Sequence, residues 1–236
     1  TQIVFNNLPM VKYPDKALPN NFAFYKITGL PFVISEWNCC YPNEFRAEGP
    51  MIMAAYALLQ DFDGVLQFAL SGGSWGKSLF DNFDIGAWPN VFGEWPAAAL
   101  MFYRRDVKGA MNLIEETLGE KEIFGYINED KPIAGEPLLP LISRTAKRYV
   151  KSKSEMINID KDVEAALKKH DSSNKVITSD TGELKWLYGD GIFNINTPKS
   201  QGSLGFLGGR NIVLTDIQIR GATNFCSIFI SSLDNK

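Results

Sequence analysis

Residues 31–50 read PFVISEWNCCYPNEFRAEGP, an apolar run that ends abruptly on Ser35-Glu36-Trp37-Asn38. A short continuous apolar stretch is expected of a strand covered on both faces. A carboxylate at the tip of such a strand is costly unless it is paired, hydrogen-bonded or wet. The reading of Glu36 therefore carries both the fold and the function.

The sequence around it alternates between strand and helix patterns. After the tip comes RAEGPMIMAAYALLQD, with Ile52, Ala55, Leu58 and Leu59 at helical spacing and Glu48 suited to the first turn. GVLQFAL then reads as a second buried strand, closed by the turn signal SGGSWG. EWPAAALMFYRRDVKGA reads as the next helix, with Pro96 near its start and Gly109 near its end. Two strands joined by one helix over this distance form a parallel, right-handed crossover, the repeating unit of a barrel or a doubly wound sheet. One complete unit is visible, and a closed eightfold barrel needs roughly 200 or more residues.

From about Met111 the pattern changes. IFGYI, KVITS, ELKWLY, GIFNIN, SLGFL, NIVLTDIQI and FCSIFIS are short β-rich runs between turn residues. Ile217 and Ile219 alternate with Asp216 and Gln218, and Cys226, Ile228 and Ile230 alternate with Ser227 and Phe229. This predicts an antiparallel sandwich. A long connection over about 130–174 holds the charged helical stretch IDKDVEAALKKH, which closes on His170 at a helix end, where a histidine serves the dipole and the last carbonyls. The expected class is thus α/β plus all-β.

Composition bounds the chemistry. The chain has 236 residues, 45% of them hydrophobic, and a net charge of -3, which gives no reason to expect nucleic acid or an anionic membrane as partner. No window approaches 18 consecutive apolar residues, so no membrane span is expected. The chain begins at Thr1, without a signal-like start, and is read as a processed chain or a piece of something longer. Three cysteines make no disulfide framework, and the adjacent Cys39 and Cys40 read as two small loop residues, a bond between them being rare and strained. A single histidine excludes a histidine metal cluster and leaves any Ser-His-Asp triad dependent on His170. SGGSWGKS departs from the GxxxxGK[ST] spacing of a phosphate loop and places Trp75 where the backbone cradle would be. In a parallel barrel, side chains at the carboxyl ends of strands point into the active-site mouth. Glu36 is therefore either a functional carboxylate there or half of a structural ion pair, for instance with Arg46.

GLPFVISEWN followed by YPNEFRAEGPMIMAAYALLQDFDGVLQFALS resembles the last part of a retaining glycoside hydrolase barrel of clan A, the cellulase-like and β-galactosidase-like group. SDTGELKW and NTPKSQGSLGFLGG resemble the β-sandwich that follows the barrel in several bacterial polysaccharide-degrading enzymes of that kind. The likeness covers roughly residues 28–110 well and 175–235 moderately. It implies the last strands and helices of a (β/α)8 barrel over residues 1–110 and a β-sandwich domain over 111–236. It further implies a glycosidase working on a poly- or oligosaccharide with no cofactor and no metal, in an extracellular or periplasmic setting. In that clan the seventh strand ends in Ser-Glu or a similar dipeptide whose glutamate is the nucleophile, a role that falls on Glu36. Trp37, Asn38, Trp75 and Trp88 become candidate substrate contacts, because sugar rings stack their C–H faces on indoles. The acid/base glutamate of the clan lies upstream, after an asparagine. The residues before Glu36 contain no glutamate, so this role is expected on an upstream barrel segment or a companion chain. Asn43-Glu44 has the right letters but follows the nucleophile. The alternative reading is a non-catalytic carbohydrate-binding or structural module, in which the sandwich carries the function on an exposed aromatic platform.

Overall fold

The structure, a computed structural model, describes residues 7–70, 82–124 and 131–234. The chain combines helices with parallel and antiparallel strands. Helix α1 (Leu18–Ala23) precedes strand β1 (Val33–Trp37), helix α2 (Gly49–Leu59) and strand β2 (Gly64–Gln67). Strands β1 and β2 are parallel, with Val33 opposite Gly64 and Trp37 opposite Gln67, so the expected strand–helix–strand crossover is present. Helices α3 (Pro89–Phe92) and α4 (Trp95–Arg104) follow. Helix α4 stops before Gly109 because Arg105 turns left-handed, with φ 54°. Strand β3 (Leu113–Leu118), helix α5 (Glu120–Phe124) and strand β4 (Arg144–Tyr149) come next, and β3 pairs with β4 in parallel.

Helix α6 (Asp160–Leu167) leads into β5 (His170–Asp171), β6 (Val176–Thr178), β7 (Leu184–Leu187), β8 (Ile192–Asn196) and β9 (Ser200–Gly205). The chain ends on β10 (Asn211–Val213), β11 (Gln218–Arg220) and β12 (Cys226–Ser231). Six of these strands form one antiparallel sheet in the order β12-β9-β8-β7-β6-β5, while β10 and β11 make a separate antiparallel pair. Six of the seven β-rich runs form strands. Of IFGYI, Ile123 and Phe124 end helix α5, and residues 125–127 lie outside the described residues. His170 lies beyond α6, in β5, where its Nε2 meets the Tyr188 hydroxyl at 2.9 Å.

Helix α2 is the centre of the packing. It carries no charged residue, it opens on Gly49-Pro50, and every residue in it is buried. Ile52, Ala55, Tyr56 and Leu59 recur at helical spacing and join Trp186, Phe193, Ile195 and Leu204 of the antiparallel sheet in one core. Met53 and Ala57 point the other way, into a cluster with Ile34, Trp37 and Phe62 beside β1. Tyr56, Trp186 and Phe193 form a mutual aromatic triangle with centroids 5.3–5.7 Å apart. The other face of the sheet is covered by the β10–β11 pair, through Ile192, Leu207 and Ile219. Gly49 lets α2 approach β1 closely: a Cβ there would lie 2.9 Å from Cys39 Sγ and 3.0 Å from the Trp37 ring.

Two polar knots lock the helices to the strands. Gln60, fully buried at the end of α2, donates through Nε2 to Pro140 O and Ser143 O at 2.6 Å each. Its Oε1 accepts from Thr145 N at 3.0 Å and from Thr145 Oγ1 at 3.4 Å, so every hydrogen-bonding site of the amide is used. After α4, the Asp106 carboxylate pairs with Arg104 Nη2 at 2.5 Å and accepts from Ser200 Oγ at 2.7 Å. Removing one side of a buried network strands its partners, at about 1–3 kcal/mol each. Gln60→Ala is therefore expected to lower the unfolding free energy by about 2–4 kcal/mol, read as a reduced urea midpoint at unchanged slope.

Candidate functional site

The carboxyl ends of β1 and β2 meet in a small organised region. Asn38, just past β1, donates through Nδ2 to Phe68 O and, at 2.9 Å, to Phe83 O. Its Oδ1 accepts from Gln67 Nε2 at 3.1 Å, and Gln67 Oε1 in turn accepts from Trp95 Nε1 at 2.8 Å. Asn38 is thus a clamp between the two strand ends, with its own polar groups engaged by protein. Phe68 and Phe83 meet edge to face at 5.7 Å beside it.

Glu36 is exposed, and among the described residues it makes no hydrogen bond and no ion pair. The pairing with Arg46 that the sequence left open does not occur. Trp37, the next residue, turns inward: it is 6% exposed, packs in the cluster with Ile34 and Met53, and leaves its buried Nε1 without a partner. A cavity of about 330 Å³ lies on this helix side, lined by Trp37, Met53, Val65, Trp95 and Phe102. Trp75 falls outside the described residues, and so does the SGGSWGKS stretch.

Trp88 stands with Tyr41 and Arg46 in a group that the sequence did not bring together. Tyr41 stacks on Trp88 with centroids 4.8 Å apart and planes 12° from parallel. The Arg46 guanidinium lies 4.3 Å from the Trp88 ring centre and 5.7 Å from that of Tyr41, distances at which cation–π attraction acts. Arg46 Nη1 donates to Asn43 O at 2.7 Å, while Nε is buried without a partner. Trp88 Nε1 is likewise buried and unpartnered. Burial pulls the Arg46 pKa down, with the Tyr41 phenol opposing. Candidate residues Glu36 and Asn38 thus sit at one strand end and Trp88 on the neighbouring loop, while Trp37 belongs to the core.

Glu48 has a different role from the one its helix-start position implied. It is 1% exposed, and its carboxylate accepts from Met10 N at 2.5 Å and Val11 N at 3.2 Å, pinning the lead-in segment. Val11 O in turn accepts from Trp186 Nε1 at 2.8 Å. Burial pushes the Glu48 pKa up from its ordinary 4.5 to about 8, against the pull of the two N–H groups. The adjacent Cys39 thiol is pushed up by the same desolvation, and Cys39, Cys40 and Cys226 are all free. Among the described residues no group of three or more His, Cys, Asp or Glu side chains is placed to hold a metal, and no helix is long and apolar enough to cross a membrane.

No family model matches the chain, and neither a curated protein nor a solved structure matches it.

The Glu48 geometry has a pH consequence. A carboxyl whose folded pKa lies above its unfolded one stabilises the fold fully below the unfolded value, and that contribution is lost as pH rises through the folded value. Between about pH 4.5 and 8 the stability should therefore fall on account of Glu48. Glu48→Gln should flatten this decline in thermal melts recorded across that range. An equal decline in both proteins would show that Glu48 does not titrate there.

Proposed function

We propose that this chain is the C-terminal portion of a retaining glycoside hydrolase, holding the last strands of a (β/α)8 barrel followed by a β-sandwich. The observation that carries the reading is Glu36: a solvent-open, unpartnered carboxylate at the carboxyl end of a strand in a parallel strand–helix–strand unit. A carboxylate with a purely structural role would have a counter-charge or donors around it. Glu36 has neither among the described residues, while Asn38 beside it fixes the strand ends.

In this reading Glu36 attacks the anomeric carbon and the leaving oxygen takes a proton from a second carboxylic acid. Water then hydrolyses the glycosyl-enzyme with that second group acting as base. Two carboxyl groups about 5–5.5 Å apart are required, and the second is assigned to an upstream barrel segment or a companion chain. Support for that assignment comes from the strands themselves. Among the described residues β1 and β2 pair only with each other, so each keeps one open edge. Val33 is 51% exposed, Leu66 53% and Phe68 45%. Parallel strands are ordinarily covered on both faces, and open edges are sites where another strand adds. A saccharide is the substrate, and Trp88 and Asn38 shape its surroundings; Trp37 would act from beneath, as support for the strand end.

The non-catalytic carbohydrate-binding reading receives less support. It called for exposed aromatic side chains on the sheet, yet Trp186 and Phe193 are fully buried, and the large exposed side chains of that region, such as Val213 and Ile230, are aliphatic.

In the complete protein, Glu36→Gln should reduce turnover of an activated aryl glycoside by at least about 10³-fold while leaving the thermal midpoint unchanged, because the side chain is exposed and makes no hydrogen bond or ion pair among the described residues. Near-normal turnover would remove Glu36 from the mechanism.

A further inference from the structure

The chain has seven arginines. Arg104, Arg105, Arg144, Arg148 and Arg210 each pair with a carboxylate. Of the other two, Arg220 is exposed, while Arg46 is half-buried and has no carboxylate partner among the described residues. Taking a guanidinium partly out of water without a counter-charge is unfavourable, and a cation held in that state is the expected signature of a receptor for an anion.

The geometry sharpens the expectation. Asn43 O occupies Nη1, and among the described residues no hydrogen bond is made by Nε or Nη2, which form the fork that takes a planar oxyanion through two parallel bonds. Trp88 and Tyr41 pack against the guanidinium and limit its rotation. Trp88 brings a further unpartnered donor, its indole N–H, to the same group. The three side chains come from the segments that follow β1 and β2 in the chain.

We propose that Arg46, oriented by Tyr41 and Trp88, receives a carboxylate carried on the sugar, so that the saccharide bound at this site contains uronic acid residues. The proposal rests on the reading of this strand end as a saccharide site. It adds a requirement that reading does not contain, namely a negative charge on the ligand beside the bond to be cleaved. Arg46 is a specificity-determining residue in this account and takes no part in bond making. Lysine cannot replace it, because an ammonium supplies charge without the fork.

The test is a titration of the chain, followed by the Tyr41 ring signals in NMR, which the wild type and both variants retain, with a methyl uronide, the matching neutral methyl glycoside and its sulfated counterpart. The wild type should bind the uronide about tenfold more tightly than the neutral sugar. Arg46→Lys should lose about that factor for the uronide alone, and Trp88→Phe, which keeps an aromatic face and removes the N–H, should lose a few-fold. Added salt should weaken uronide binding only. Thermal melts of both variants establish that they are folded. Undetectable uronide binding, equal affinity for charged and neutral sugars, or full uronide affinity in folded Arg46→Lys would each overturn the proposal, and tighter binding of the sulfated sugar would replace the carboxylate by a sulfate ester. Because the titration requires no turnover, its failure is separable from failure of the Glu36 assignment: a neutral glycoside cleaved in a Glu36-dependent manner would leave that assignment standing while this one fell.

Discussion

The structure depends on the burial of helix α2 on both sides. A helix that is apolar all round has no face to give to water, so it has to be enclosed by two layers. One layer is the parallel β1–β2 pair, met by Met53 and Ala57; the other is the antiparallel sheet, met by Ile52, Tyr56 and Leu59. The strand tip bearing Glu36 is therefore held in place by the same helix that holds Trp186 and Phe193. Gln60 completes the arrangement by satisfying the backbone of residues 140–145 with a single buried amide. Local changes in the sheet and at the strand tip are coupled through this one element.

Three charged side chains close to one another in sequence show how context divides their roles. Glu48 is buried and bound by backbone N–H groups, so it acts as a structural pin. Glu36 is open and unpartnered, and Arg46 is half-buried without a counter-charge. Structural charges in this chain have partners, as Asp106 with Arg104 and Ser200 illustrates. An open carboxylate and a half-buried guanidinium without a counter-charge among the described residues lie on the strand end and its loop, and they underlie the proposed chemistry and its specificity.

Much of this organisation was legible in the sequence. PFVISEW and GVLQFAL read correctly as strands and the helix between them followed from spacing, but the burial expected on both faces is not observed: Val33 and Leu66 are exposed and β2 ends at Gln67. Strands β3 and β4 were not legible: LIEETL and RTAKRY carry Glu115, Glu116, Lys147 and Arg148, whose ion pairs and hydrogen bonds offset the polarity that hides a strand pattern. Ile123 and Phe124, the described part of IFGYI, misled in the opposite sense, since these β-prone residues close a short helix. At the site, the position of Glu36 was read from its strand, but the grouping of Tyr41, Arg46 and Trp88 could not be, because it joins two loops separated by the whole of α2 and β2. Trp37 inverted its expected role because the β1–β2 register shifts between Ile34 and Trp37, so that both side chains are buried beside α2 while Ser35 and Glu36 stay exposed, and the ring fills the space that Gly49 leaves.

The central claim is that Glu36 forms a covalent bond to a sugar. Incubation of the complete protein with a 2-deoxy-2-fluoro glycoside bearing a good leaving group, followed by proteolysis and mass spectrometry, tests it directly, because the fluorine slows hydrolysis of the intermediate and lets it accumulate. The account predicts one fluorosugar adduct on the peptide that contains PFVISEW, located on Glu36. An adduct on a different carboxylate, or turnover with no covalent intermediate at all, would contradict it.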